Sequence, residues 1–135
     1  VTMRFSSCVS IVLNHKPFYI PDIEGAMNFI RSEDAASFLC WIKDINYSGA
    51  INGASRKNLT STELIQMYSL ILGEKIHIYK NNDDFNQHSN FPYYSSGNMI
   101  LNTCRANNLG YEFQEFDNWF ISEVEITKKM LNENK

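Results

Sequence analysis

The segment that most constrains the fold is residues 60–79, where a helix start, an apolar helix face, a helix stop and a strand follow one another directly. Thr60 and Glu63 have the spacing of a capping box, in which a hydroxyl and a carboxylate three residues apart each accept from an otherwise orphaned backbone N–H. Leu64, Met67, Tyr68 and Ile71 fall on one helical face, and Gly73 can take the left-handed conformation that ends a helix. Ile76 and Ile78 then alternate with His77 and Tyr79, the period of a half-buried strand. The rest of the chain repeats this mixture. Strands are predicted at the start of residues 1–13, which are rich in β-branched side chains, at Phe29-Ile30, at residues 49–53 and from Met99 to Asn102. Helices are predicted after a Ser32 cap, with Glu33 and Asp34 in the first turn and Ala35, Phe38, Leu39 and Ile42 facing inward. Two more are predicted, one from a Thr103 cap to Leu109 with Gly110 as its stop, the other from an Asp117 cap with Phe120, Ile121, Val124 and Leu131 on its apolar side. Short strands alternating with helices place the chain in the α/β class.

The 135 residues are enough for one compact domain or one lobe of a larger one. The formal net charge of −3 comes from both signs spread along the chain, so the concentrated basic face that nucleic acid selects is not expected. Lys128-Lys129 reads as dipole compensation near a helix C-terminus. No stretch approaches the roughly 20 apolar residues that cross a bilayer, so no membrane partner is expected. Val1-Thr2-Met3-Arg4 lacks a signal pattern and opens straight onto an apolar run, which reads as a chain cut within a fold. Cys8, Cys40 and Cys104 form no C-x-x-C pair, and His15, His77 and His88 have no metal-ligand spacing. They read as structural thiols and isolated imidazoles, with no metal, in a cytoplasmic protein. The polar run from Asn81 to Asn90 reads as a surface loop.

Catalytic arrangements are absent from the sequence. The six glycines never fall in the spacing that brings a strand-to-helix turn against pyrophosphate. None of the seven tyrosines has a lysine four positions on, so no phenol is set up as a cation-activated general acid or base. Glu33-Asp34 fits a helix start and Asp83-Asp84 a loop, while Glu123 and Glu125 fall on different helix faces. No catalytic residue is assigned. Phe91, Tyr93 and Tyr94 form an aromatic group that could stack on a sugar or base, or pack a loop onto the domain body.

Three stretches in order, and the tail, resemble the C-terminal, substrate-binding part of NAD-dependent epimerases/dehydratases of the extended short-chain dehydrogenase/reductase family. Arg4-Phe5-Ser6-Ser7 resembles that family's Arg-Pro-x-Asn strand end. The run from Phe29 through Asp34 to Ala36 resembles its Phe-Ile-His-Val-x-Asp-hydrophobic-Ala segment. Ala50-Ile51-Asn52-Gly53, followed by Leu59-Thr60 and Glu63-Leu64, resembles its Tyr-Asn-Ile-Gly segment and the helix start after it. Asn108-Leu109-Gly110-Tyr111 resembles its closing Leu-Gly-Tyr.

The resemblance implies the last two parallel strands of a Rossmann-type sheet, near residues 1–7 and 50–52, with their crossover helix within residues 1–56, and a small α/β substrate-binding lobe over residues 57–135. It implies that Ser6 and Ser7 touch cofactor and that Ser7 touches a sugar-type substrate; Arg31, close to but displaced from a family arginine, and the aromatic group Phe91, Tyr93 and Tyr94 are the other candidate contacts to that substrate. NAD or NADP would serve the full-length enzyme, with none expected on this chain alone. The two arginines by which such enzymes hold a diphosphate fall at Met27 and Phe91, which cannot match phosphate oxygens, so weak preference for nucleotide sugars is expected. A strand cut from a sheet would expose an edge and predicts a homo-oligomer. The alternative is a non-catalytic binding or interaction domain derived from the same lobe.

Overall fold

The computed structural model of the chain describes residues 4–81, 89–95 and 97–133. Its elements are α1 (Arg4–Leu13), β1 (Phe18–Pro21), α2 (Ser32–Asp44), α3 (Ser61–Leu72), β2 (Ile78–Asn81), α4 (Cys104–Asn108) and α5 (Phe116–Glu133). The class is mixed α/β with a two-strand parallel sheet, as expected, but other residues form the strands. β1 pairs with β2 in the register Phe18 to Ile78 through Pro21 to Asn81. Phe18 and Ile20 point into the core, while Tyr19 faces out and stacks on Tyr79 across the pair, ring centroids 5.4 Å apart.

The strand expected at the start of residues 1–13, with a helical turn after Ser7 as the other reading there, is a helix from Arg4 onward, and residues 1–3 lie outside the described set. Cys8, Val9 and Val12 are buried and Phe5 packs against the same core, a spacing of three, four and seven that only a helix places on one face. Composition in β-branched residues pointed to a strand; the period points to a helix and prevails. His15 ends α1 in the left-handed region at φ 52°, with Lys16 N–H donating to the Ile11 carbonyl at 3.0 Å.

No strand forms at residues 50–52. The Ala50 carbonyl accepts from Arg105 Nη1 at 2.6 Å, and Asn52 Nδ2 donates to the Asn102 carbonyl at 3.1 Å, so side chains take the bonds a ladder would have used. Phe29-Ile30 and Met99–Asn102 form no full strands either. Met27 instead makes single bridges to Leu59 and to Met99. Gly25 lies so close to this crossing that a Cβ would meet the Gly97 carbonyl oxygen at 2.0 Å.

α3 forms as its sequence demands. Thr60 Oγ1 accepts from Glu63 N at 3.3 Å, Glu63 Oε2 accepts from Thr60 N at 2.8 Å, and Gly73 sits at φ 72°. Other caps differ. Ser32 is the first residue of α2, and its hydroxyl donates to Glu33 rather than capping. The first free N–H of α4 goes to Asn102 Oδ1 at 2.9 Å, not to Thr103. α5 starts at Phe116, which puts Asp117 in its first turn, ion-paired with Lys57. It runs on to Glu133, a full turn past Lys129. Leu39 and Ile121 are exposed, so their helices bury narrower faces than expected.

α1, α3 and α5 pack pairwise and, with β1, enclose the main core. A smaller core gathers Phe38 of α2, Ala106 of α4 and Phe113, with Trp41 and Tyr111 packed against it. Asp34 joins α2 to the chain before α5: buried, it accepts from the Tyr111 hydroxyl at 2.8 Å and from Gln114 N at 3.0 Å. Among the described residues no helix is long and apolar enough to cross a membrane.

Candidate functional site

α1, α3 and α5 do not close completely where they meet the chain entering α2. They leave a cleft of about 290 Å³. Phe5 of α1, Leu64 and Tyr68 of α3, and Phe116, Trp119, Phe120 and Glu123 of α5 line it, with residues 29–32 and Tyr93 completing the wall. The aromatic rings hold one another at preferred angles. Phe116 stacks on Phe120 at 4.8 Å and meets Trp119 edge-on at 4.7 Å, and Phe29 meets Tyr93 edge-on at 5.5 Å. Glu123 follows Trp119 by four residues, so one face of α5 supplies both.

The charged groups of the cleft lie against one another. Arg31 Nη2 lies 2.8 Å from Glu123 Oε1, and Arg31 Nε lies 2.9 Å from Glu33 Oε2, off the line of a hydrogen bond. Its own backbone N–H and the Ser32 hydroxyl hold the exposed Glu33 carboxyl below its ordinary range. One guanidinium against two carboxylates leaves a surplus negative charge beside the cleft.

Two other polar groups are buried without a match. The Trp119 indole N–H has no partner among the described residues. The Tyr68 hydroxyl lies against the Cys8 thiol, too weak a group to stand in for oxygen, and makes no well-formed hydrogen bond among the described residues. Burial pushes the Cys8 thiol up to about 12, raises the Tyr68 phenol, and pushes the Tyr93 phenol up to about 12. All three stay protonated near neutral pH. None of the three is ionised there to act as a nucleophile or base.

A second depression, about 510 Å³, lies between residues 47–52 and 102–109. It is larger, yet its main polar groups are paired: Arg105 holds the Ala50 carbonyl and lies 5.8 Å over the Tyr47 ring, and Asn52 and Asn102 bond to backbone. The smaller cleft is therefore the better candidate. No group of three or more His, Cys, Asp or Glu that could hold a metal occurs among the described residues.

The structure brings Arg31 and Tyr93 together at the cleft and leaves the other sequence candidates off its wall. Ser6 and Ser7 lie on α1 rather than at a strand end, with the Ser7 hydroxyl donating to the Arg4 carbonyl at 2.8 Å. Phe91 is buried edge-on against Phe18, and Tyr94 packs on the main core. Phe29, Tyr68, Trp119 and Glu123 were missed. The available signal was two aromatics with polar tips on apolar helix faces, which ordinary core positions share.

No protein-family model matches the chain, and no curated protein matches it. Solved structures do. A UDP-N-acetylglucosamine 4-epimerase from Methanobrevibacter ruminantium M1, in complex with UDP-N-acetylmuramic acid, matches 97% of this chain with a TM-score of 0.68 and 18% identity. A UDP-glucose 4-epimerase from Thermotoga maritima, with UDP-glucose, matches 94% with a TM-score of 0.68 and 16% identity. A UDP-glucuronic acid 4-epimerase from Bacillus cereus, in complex with NAD, matches 90% with a TM-score of 0.59 and 16% identity. The chain spans 39%, 38% and 39% of those proteins. Its fold is that of about two-fifths of a nucleotide-sugar 4-epimerase.

Proposed function

We propose that the chain is the substrate-binding part of an NAD(P)-dependent sugar epimerase, dehydratase or reductase, inactive without the remainder of such an enzyme. The observation that carries this reading is the match of nearly the whole chain to part of three UDP-sugar 4-epimerases, one of them in complex with NAD. The aromatic cleft is where a sugar-type ligand would sit, with Arg31 and Tyr93 on its wall. Chemistry would come from elsewhere, because this sequence has neither a Gly-rich pyrophosphate turn nor a Tyr-x-x-x-Lys pair. The free thiols Cys8, Cys40 and Cys104 accord with a cytoplasmic setting. Titration calorimetry of the chain with NADH and with a series of sugars and nucleotide sugars tests the reading. Sugar-class binding without NADH binding is expected. Micromolar NADH binding, or no sugar-class binding at millimolar concentration, would overturn it.

A second reading, a non-catalytic interaction domain, rests on the consecutive exposed side chains Met99, Ile100 and Leu101 at 57%, 41% and 48% exposure. They also carry the proposal of a homo-oligomer, since the helix from Arg4 removes the cut-strand argument for one. Sedimentation over a wide concentration range checks this. A dimer that Ile100→Glu dissociates is expected, and a monomer throughout contradicts it.

A further inference from the structure

The geometry points to an uncharged ring compound with an acceptor oxygen on its rim as the ligand of the aromatic cleft, and not to a nucleoside diphosphate. This rests on the proposed function for the choice of site and goes beyond it in ligand class. Size is the first argument. An apolar cavity of about 150 Å³ takes benzene, so about 290 Å³ takes a body of about a dozen non-hydrogen atoms, the size of a single pyranose. Wall chemistry is the second. Phe29, Phe116 and Phe120 offer ring faces and edges suited to the apolar face of a sugar or to a flat ring.

The third argument is the pair of buried donors. The Trp119 indole can only donate, and Trp119 is 8% exposed; Tyr68, fully buried, carries a hydroxyl with no well-formed hydrogen bond among the described residues. Such groups are normally satisfied; both tips are shielded from solvent in the empty cleft, so a ligand oxygen reaches them only as the rings around them shift. Ser55, Ser61 and Asn107 also carry unpaired buried oxygens, but none of them lines this cleft. Charge is the last argument. The guanidinium of Arg31, the group that would clamp a phosphate, is held between Glu33 and Glu123, and the surplus carboxylate repels an anion.

The test is calorimetry on the full chain with three probes: methyl α-D-glucopyranoside, acetophenone and UDP-glucose. The glycoside is expected to bind, with UDP-glucose no tighter than threefold better. Tyr68→Phe keeps the ring and removes the hydroxyl. It should weaken glycoside binding at least tenfold without lowering the thermal midpoint, and Trp119→Phe should weaken it similarly. Glu123→Gln, which releases Arg31, should raise UDP-glucose affinity at least fivefold and leave the glycoside within twofold. UDP-glucose binding the unaltered chain tenfold tighter than the glycoside would overturn the inference while leaving the sugar-binding reading intact. Acetophenone binding without glycoside binding would sustain the inference and remove the sugar reading. If no probe binds, or Tyr68→Phe leaves the affinity unchanged and lowers the midpoint, the unpaired donors are structural and the inference is wrong.

Discussion

Two of the places where the chain buries polar side chains treat them in opposite ways. At the join between α2 and the tail, Asp34 is 4% exposed and both of its carboxylate oxygens are used, one by the Tyr111 hydroxyl and one by Gln114 N. At the cleft, Tyr68 is fully buried and Trp119 is 8% exposed, and their polar tips make no well-formed hydrogen bond among the described residues. Leaving a buried polar group unpaired costs stability, and at the cleft two such groups sit on residues that line one cavity. The difference separates a polar group that holds the fold from polar groups available to something else.

The sharpest break of this comparison is Asp34→Ala. It removes two hydrogen bonds to a carboxylate and leaves the Gln114 amide without its acceptor, so about 3 kcal/mol of stability should be lost. Urea titration checks it; a loss near zero would mean that Asp34 is not the anchor described.

High pH comes next. Burial pushes Cys8 up to about 12 from 9.0, and burial followed by the Asp34 hydrogen bond pushes Tyr111 up to about 12 from 10.0. Each group holds its proton more tightly folded than unfolded, so its contribution is complete below the unfolded value and is lost as pH rises through the folded one. Stability should fall from about pH 9 to about pH 12. Melting temperatures across that range test this, and Cys8→Ala should move the start of the decline toward pH 10, where the tyrosines begin.

How much of this contrast the sequence disclosed depended on whether a signal was local. The capping box at Thr60 and Glu63, the Gly73 stop and the Ile76/Ile78 alternation are complete within a few residues; the cap and the stop form, and the alternation holds in burial although the strand itself begins at Ile78. α1 was misjudged because its β-branched composition outweighed its helical period, although Cys8, Val9 and Val12 mark the period plainly. β1 and the loop at residues 50–52 were decided by distant partners, β2 in one case and Arg105 in the other. The same holds for the site. Arg31 was visible as a substrate-contact candidate, but Glu123, which pairs with it, lies far along the chain. Tyr68 and Trp119 sit on apolar helix faces, and nothing nearby in sequence tells an unpaired polar tip from a paired one.

Two smaller effects sharpen the contrast. Tyr68→Phe removes a polar group without breaking a well-formed hydrogen bond and should stabilise the unliganded chain by about 1 kcal/mol, opposite in sign to Asp34→Ala. A destabilisation of similar size would show that the hydroxyl is satisfied after all. Thr60→Ala should cost about 1 kcal/mol through loss of the α3 cap, with no change at the cleft. Denaturant midpoints for the two variants, measured side by side, separate a cap from a site.

The most direct test of the central claim uses the chain's two tryptophans, one in each region. Trp119 borders the cleft, while Trp41 packs on Phe38 and Tyr111 in the smaller core. Indole N–H resonances of the ¹⁵N-labelled chain can be followed as methyl α-D-glucopyranoside is added. The account predicts that the Trp119 signal moves downfield in a saturating manner as its N–H gains an acceptor, and that the Trp41 signal stays in place. A Trp119 signal that does not move at millimolar ligand, or a shift confined to Trp41, would contradict it.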